Sequence, residues 1–235
     1  MTHRTALQAL AEAAGSVTAQ HDVHDILAQV MADCRDLLPA VGAGVLVVSR
    51  PGVMDLLSAT SHRTSELELF QLQTEVGPCQ DCVATGSLVS EIGAEQIRSR
   101  WDRVGEAIVA AGFDAVHAFP IRWNGVTLGG LNVFGSAPGS DRPDLVLGQA
   151  FADVIGMLLV RDLDLDADTI SARVRQVLEG RTVIEQAKGL LAYRHRIPIA
   201  DAHDQLHHLA RSNAQTLSTA AVQLLRAAQH RGPVS

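Results

Sequence analysis

The stretch Gly180-Arg-Thr-Val-Ile-Glu-Gln-Ala-Lys-Gly-Leu-Leu-Ala-Tyr-Arg-His-Arg-Ile197 is where a single helix changes the side it buries. Upstream, Ile170, Val174 and Val177 follow steps of four and three residues, the spacing of a seam between paired helices. Downstream, Val183, Ile184, Ala187, Leu190 and Leu191 fall on a face rotated by about 130° from the first. Gly180 sits at the changeover. The pattern predicts one helix serving two cores, the first half pairing with another protomer and the second packing inside its own domain. Arg181, Lys188, Ala192, His195 and Arg196 are then expected together on the side the second core leaves open.

Lys188 is the only lysine among nineteen lysines and arginines. A lysine is a compact point charge on a flexible stem, where arginine is a flat fork, and the two are not interchangeable at a tight contact. The net charge of -7 conceals a division. Residues 169–235 carry nine basic against four acidic groups, a charge of +5, which leaves residues 1–168 at -12. A basic end on an acidic chain points to a polyanionic partner of that end.

On the C-terminal side, Pro198 suits the first turn of a helix whose Ile199, Ala202, Leu206, Leu209 and Ala210 share a stripe. Asn213 marks its stop. A third helix over Leu217 to about Gln229 buries Leu217, Ala221, Leu224 and Ala228, with Gly232 and Pro233 beyond it. This makes a three-helix unit.

The N-terminal part has another character. Asp22 is a candidate N-cap for a helix over Val23 to Leu38. Gly42 to Ser49 and Gly52 to Ala59 read as strands around the Arg-Pro-Gly turn, and Ser65 to Gln73 as a helix. Gly86 to Ile92 reads as a short strand, and Trp101 to Ala111 as a helix closed by Gly112. Val116 to Arg122 and Val126 to Phe134 flank Asn124-Gly125, a strong hairpin signal. A helix from about Pro143 to Val160 follows, and helical character continues through Asp162 to Asp168. Strands joined by hairpins with interspersed helices imply an α+β antiparallel sheet. The expected organisation is a sensor-like domain over residues 1–160, a helical connector and dimer seam over 161–180, and a three-helix bundle over 181–235.

Glu75-Val-Gly-Pro-Cys-Gln-Asp-Cys-Val-Ala-Thr-Gly86, with the hairpin ending at Phe134, resembles a GAF domain. The resemblance implies a small-molecule or signal-sensing module of unspecified ligand. The run from Gly180 to Ile197, with Ala202, Leu206 and Ala210, resembles an ANTAR domain, the match extending over about residues 165–230. That resemblance implies a dimeric transcription antiterminator that binds paired RNA hairpins with hexanucleotide loops in nascent transcripts. His203, His207 and His208 depart from the mixed acidic and polar residues expected on its second helix.

The chemistry of the basic segment suits RNA, which is read at single-stranded loops by stacking and by phosphate contacts. Lys188 and Arg181 are candidates for phosphates, Tyr193 for stacking, Gln186 for a base edge, and Gly189 for close approach of the RNA backbone. Arg194 and Arg196 add cations, which also suit a helix C-terminus.

Other constellations are weaker. Cys79 and Cys82 form a C-x-x-C pair without the second pair of a zinc site; a thiol sensor or cysteine redox enzyme is the alternative reading. A sensor acting only through protein partners is another. His203 and His207 lack the glutamate of a metalloprotease motif, and the Asp162 to Asp168 run lacks the glycine and distal glutamate of a calcium loop. No catalytic constellation, cofactor or metal is expected. Neither a secretory signal nor a membrane-spanning run is apparent, so a cytoplasmic, non-enzymatic, homodimeric RNA-binding regulator is the expectation.

Overall fold

The computed structural model describes residues 4–18, 22–38, 40–136, 144–160, 167–213 and 215–229, excluding the side chains of 18, 167–171, 173 and 229. Five strands form one antiparallel sheet in the order β2-β1-β5-β4-β3. They are β1 (Gly42–Arg50), β2 (Val53–Ala59), β3 (Val89–Ile92), β4 (Ala115–Trp123) and β5 (Val126–Gly135). Side-chain alternation gives the sheet two greasy faces. Ala43, Val45, Val47, Phe119, Ile121, Leu131 and Val133 pack with α1 (Ala6–Thr18), α2 (Val23–Leu37) and α6 (Leu145–Val160). Val116, Ala118 and Phe134 pack with α3 (His62–Thr74), α4 (Pro78–Thr85) and α5 (Ala94–Ala110).

Both hairpins lie where the turn residues put them. Asp22 caps α2, its carboxylate accepting the His24 N–H at 2.8 Å. Ser61 caps α3 through the Thr64 N–H at 3.1 Å. The departures are local. Helix α4 was not expected; Pro78 starts it and Gly86 closes it in the left-handed region. The strand expected from Gly86 begins only at Val89. Helix α5 begins at Ala94 rather than Trp101, because two helical pieces meet at a kink with Asp102 at φ 45°. Helix α1, also unexpected, packs Ala9 and Ala13 inward. The expected start at Pro143 and the run Asp162 to Asp166 lie outside the described residues.

Helix α7 (Ala167–His195) does serve two cores. Val174 and Val177, 1% and 4% exposed, enter the core beneath α2 and α6. Ile184, Ala187 and Leu191 enter a separate core with α8 (Ile199–Ser212) and α9 (Leu217–Gln229). The sequence reading placed the first contact between protomers, whereas the structure places it within one chain. An apolar stripe records that it must be covered, not by which surface. The Ile170 side chain is outside those described. Pro198 is the N-cap of α8 rather than a first-turn residue, and Asn213 is its C-cap.

Packing between α6 and β4 is tight enough to test. A Cβ on Gly148 would lie 2.3 Å from Phe119 Cζ, and that ring is fully buried. Gly148→Ala is expected to destabilise the protein by about 1–3 kcal/mol through overpacking, despite alanine's better helix propensity. Urea unfolding should show a lower midpoint; an unchanged or higher one would show that the ring yields freely.

Candidate nucleic-acid interface and the sensor site

Burying Ile184, Ala187 and Leu191 turns other positions of α7 outward. Gln186, Gly189, Tyr193, Arg194 and Arg196 are all exposed, Tyr193 by 83%. A Cβ placed on Gly189 meets nothing within 4 Å, so the backbone there is open to a partner. Arg196 adopts φ 53° just beyond the helix, and Ile197 N–H returns to the Ala192 carbonyl at 3.2 Å, closing the last turn. Arg194 and Arg196 have no carboxylate partner among the described residues. They sit beside the α7 C-terminus, where the helix dipole favours positive charge.

The other two expected cations are placed differently. Lys188 is bound by Glu185, its ammonium 2.9 and 3.0 Å from the two carboxylate oxygens, and its side chain is only 14% exposed. The ammonium expected to stand open is therefore neutralised by a neighbour one turn away. Glu185 is itself 47% exposed, and pairs of this kind are worth about 0–1 kcal/mol, so a phosphate can compete for the lysine. Arg181 is engaged by the sheet. Its guanidinium donates to the Leu56 carbonyl on β2 and lies near Asp55. The single cationic ridge divides into an open part at Tyr193–Arg196, a paired lysine, and an arginine held by the sheet.

On α8, His203 lies near Lys188. His203 and His207 meet edge to face at 4.6 Å. Burial, then the Lys188 ammonium and His207, push His203 down to about 4. Burial also lowers His207, against the pull of Asp25 on α2. Both rings are therefore neutral at pH 7 and add no cation to the surface.

On the other sheet face, polar side chains fill the space beneath α3 and α4. Glu68, Gln71 and Asn132 are all fully buried. Asn132 Nδ2 donates to both Glu68 oxygens at 2.9 and 2.8 Å, and Gln71 Nε2 donates at 2.8 Å. Gln71 Oε1 accepts the Cys79 N–H at 3.2 Å. Room for this cluster comes from glycine: a Cβ on Gly44 would lie 2.2 Å from Glu68 Oε1. Burial pushes Glu68 up to about 8, the Asn132 hydrogen bond opposing it. None of these three residues was anticipated. Glu68 and Gln71 belong to a polar-looking helix and Asn132 to an apolar strand, so no local signal announces that they converge.

Cys79 and Cys82 do lie in one helix, but both are fully buried. Burial raises the Cys79 thiol well above its usual range and Cys82 to about 12. Thiols held protonated and shielded from solvent are poor nucleophiles. Among the described residues no group of three His, Cys, Asp or Glu converges as a metal site would, and no helix is long and apolar enough to cross a membrane.

Against known families, residues 172–225 match the ANTAR domain. This chain carries an ANTAR domain. The match starts inside α7, ahead of the changeover at Gly180, and so includes Val174 and Val177 as well as the bundle. No curated protein matches the chain. Solved structures resemble the N-terminal part. The A. aeolicus nlh2 GAF domain in an inactive state is 12% identical, covering 65% of this chain and 94% of its own, with a TM-score of 0.50. The phycoerythrobilin-bound GAF domain of a cyanobacterial phytochrome is 15% identical over 68% of this chain and 97% of its own, at 0.51. The reduced form of fRMsr from Staphylococcus aureus is 16% identical over 68% and 99%, at 0.50. At so low an identity the structural likeness shows the fold alone, a GAF fold ahead of the ANTAR domain.

The buried carboxyl makes a pH prediction. Because folding raises the Glu68 pKa from 4.5 toward 8, its neutral form is the favoured one. Its contribution is complete below about pH 4.5 and is lost as pH rises toward 8. Glu68→Gln should flatten the fall in stability between pH 5 and 8, measured by urea unfolding; parallel slopes would mean that Glu68 keeps an ordinary pKa.

Proposed function

We propose that this ANTAR regulator is an RNA-binding transcription antiterminator. It holds paired hairpin loops of nascent RNA, acts as a homodimer in the cytoplasm, and answers to a small-molecule signal at its GAF-fold domain. The observation that carries the reading is the ANTAR match over α7–α9, whose α7 leaves Gln186, Gly189, Tyr193, Arg194 and Arg196 outside the bundle core. An exposed phenol beside two guanidinium groups can stack on an unpaired base while the cations meet its phosphates. Gln186 can both donate to and accept from a base edge. Lys188 joins them when a phosphate replaces Glu185. Burial of Cys79 and Cys82 favours this reading over a cysteine redox enzyme.

RNA recovered with the protein from its native cell identifies the targets, and titration of those RNAs tests the residues. Tyr193→Ala should weaken binding by about 1–3 kcal/mol. Arg194→Ala should flatten the log–log salt dependence by about 0.7 on single-stranded loops. If both variants bind as the parent does, the exposed end of α7 is not the RNA surface.

Lys188 has a two-sided test. Glu185→Gln, which frees the ammonium, should tighten binding, whereas Lys188→Ala should weaken it across RNA variants. Gly189→Ala should leave the fold as stable or up to about 1 kcal/mol more stable, yet weaken RNA binding by crowding the backbone approach. Equal affinity in all three variants would remove both residues from the interface.

A further inference from the structure

The contacts that join the ANTAR bundle to the GAF-fold domain come from separate stretches of sequence. Val174 and Val177 lie in the sensor-side core. Arg181 donates to the Leu56 carbonyl of β2. The Leu217 N–H, an otherwise unpaired donor at the start of α9, is accepted by Asp25 Oδ1 of α2 at 3.2 Å. Between these contacts, α2 and α7 approach so closely that a Cβ on Gly180 would lie 2.2 Å from His24 Nε2, with the ring's Cδ2 and Cε1 at 3.1 and 3.2 Å. A glycine in a helix interior is unfavourable relative to alanine. The three atoms nearest such a Cβ all belong to the His24 ring, so a side chain here and the ring in its present seat exclude each other.

We propose that the seating of His24 on Gly180 is the catch of an interdomain clasp that withholds Arg181 from RNA. With the catch seated, α7 lies along β1 and β2 and the Arg181 guanidinium is committed to a sensor carbonyl. With it released, Arg181 swings free on the helix that carries Gln186, Lys188 and Gly189, and Val174 and Val177 are uncovered for a second copy. The inference rests on the RNA reading for its functional half. The physical half is a two-position junction in which the sensor and an RNA phosphate compete for one guanidinium. Thermodynamic reciprocity then requires that RNA engaging Arg181 also loosen the junction. A sensor ligand acts through the same equilibrium if it shifts α2 against the sheet.

Gly180→Leu tests the catch, because leucine is nearly as good a helix former as alanine and preserves α7 while occupying the His24 seat. His24→Ala/Gly180→Leu vacates the ring volume and lets the helices close again. On the full-length chain, spin labels at His62→Cys and Arg226→Cys, both exposed positions, report the junction by their distance. RNA affinity is measured with a synthetic RNA carrying two hairpins with six-nucleotide loops. Gly180→Leu is expected to add a longer-distance population and to tighten RNA binding about tenfold, since apparent affinity scales with the competent fraction. The double variant should return both readouts to within about twofold of His24→Ala alone. An unchanged distance distribution in Gly180→Leu, or a double variant as open as the single, would overturn the clasp. Distances that behave as expected while no chain, parent included, binds the RNA would leave the clasp standing and sink the RNA reading instead.

Discussion

One unbroken helix has to satisfy two hydrophobic cores that lie on different sides of it, and the rest of the molecule is arranged around that requirement. Helix α7 gives Val174 and Val177 to the sheet-covering layer and Ile184, Ala187 and Leu191 to the terminal bundle. Because the rotation happens within the helix, neither domain can move relative to the other without bending α7 or unseating one of its faces. Burial of a valine or isoleucine side chain is worth about 1.5–3 kcal/mol. Each seat is therefore substantial, but neither approaches the stability of a whole domain.

That arrangement decides where charge can go. The +5 of the C-terminal region is not spread over one open ridge. Arg181 faces β2, Lys188 is closed by Glu185, and Arg194 and Arg196 remain outward beside Tyr193. The division follows from helical geometry: Arg181 stands at the changeover, where the helix still faces the sheet, while Arg194 lies beyond the last buried position. The His203–His207 pair stays neutral for the same kind of reason, since burial beside an ammonium disfavours a second positive charge.

The sensor half shows a different use of buried polarity. Glu68, Gln71 and Asn132 form a hydrogen-bonded cluster on the sheet face beneath α3 and α4, with glycines beneath them. The thiols of Cys79 and Cys82 belong to the same interior. Filling that space with amides and a neutral carboxyl gives a sheet face whose packing depends on protonation. A purely apolar core would have no such dependence.

Local chemistry is what the chain reveals by itself. The Asn124-Gly125 hairpin, the cap at Asp22, the antiparallel α+β class and the change of stripe at Gly180 all depend on residues near one another, and they were legible. Helix α4 was not, because a single turn or two bounded by Pro78 and Gly86 has no periodicity to read. Nor were the Glu68–Asn132 cluster and the destination of Arg181, which join residues 64 and 125 positions apart. Periodicity states that Val174 and Val177 need cover; only the folded chain decided that its own sensor domain supplies it. Hydrophobic burial is non-directional, so the pattern specifies a face and leaves the partner to whichever surface the topology brings within reach.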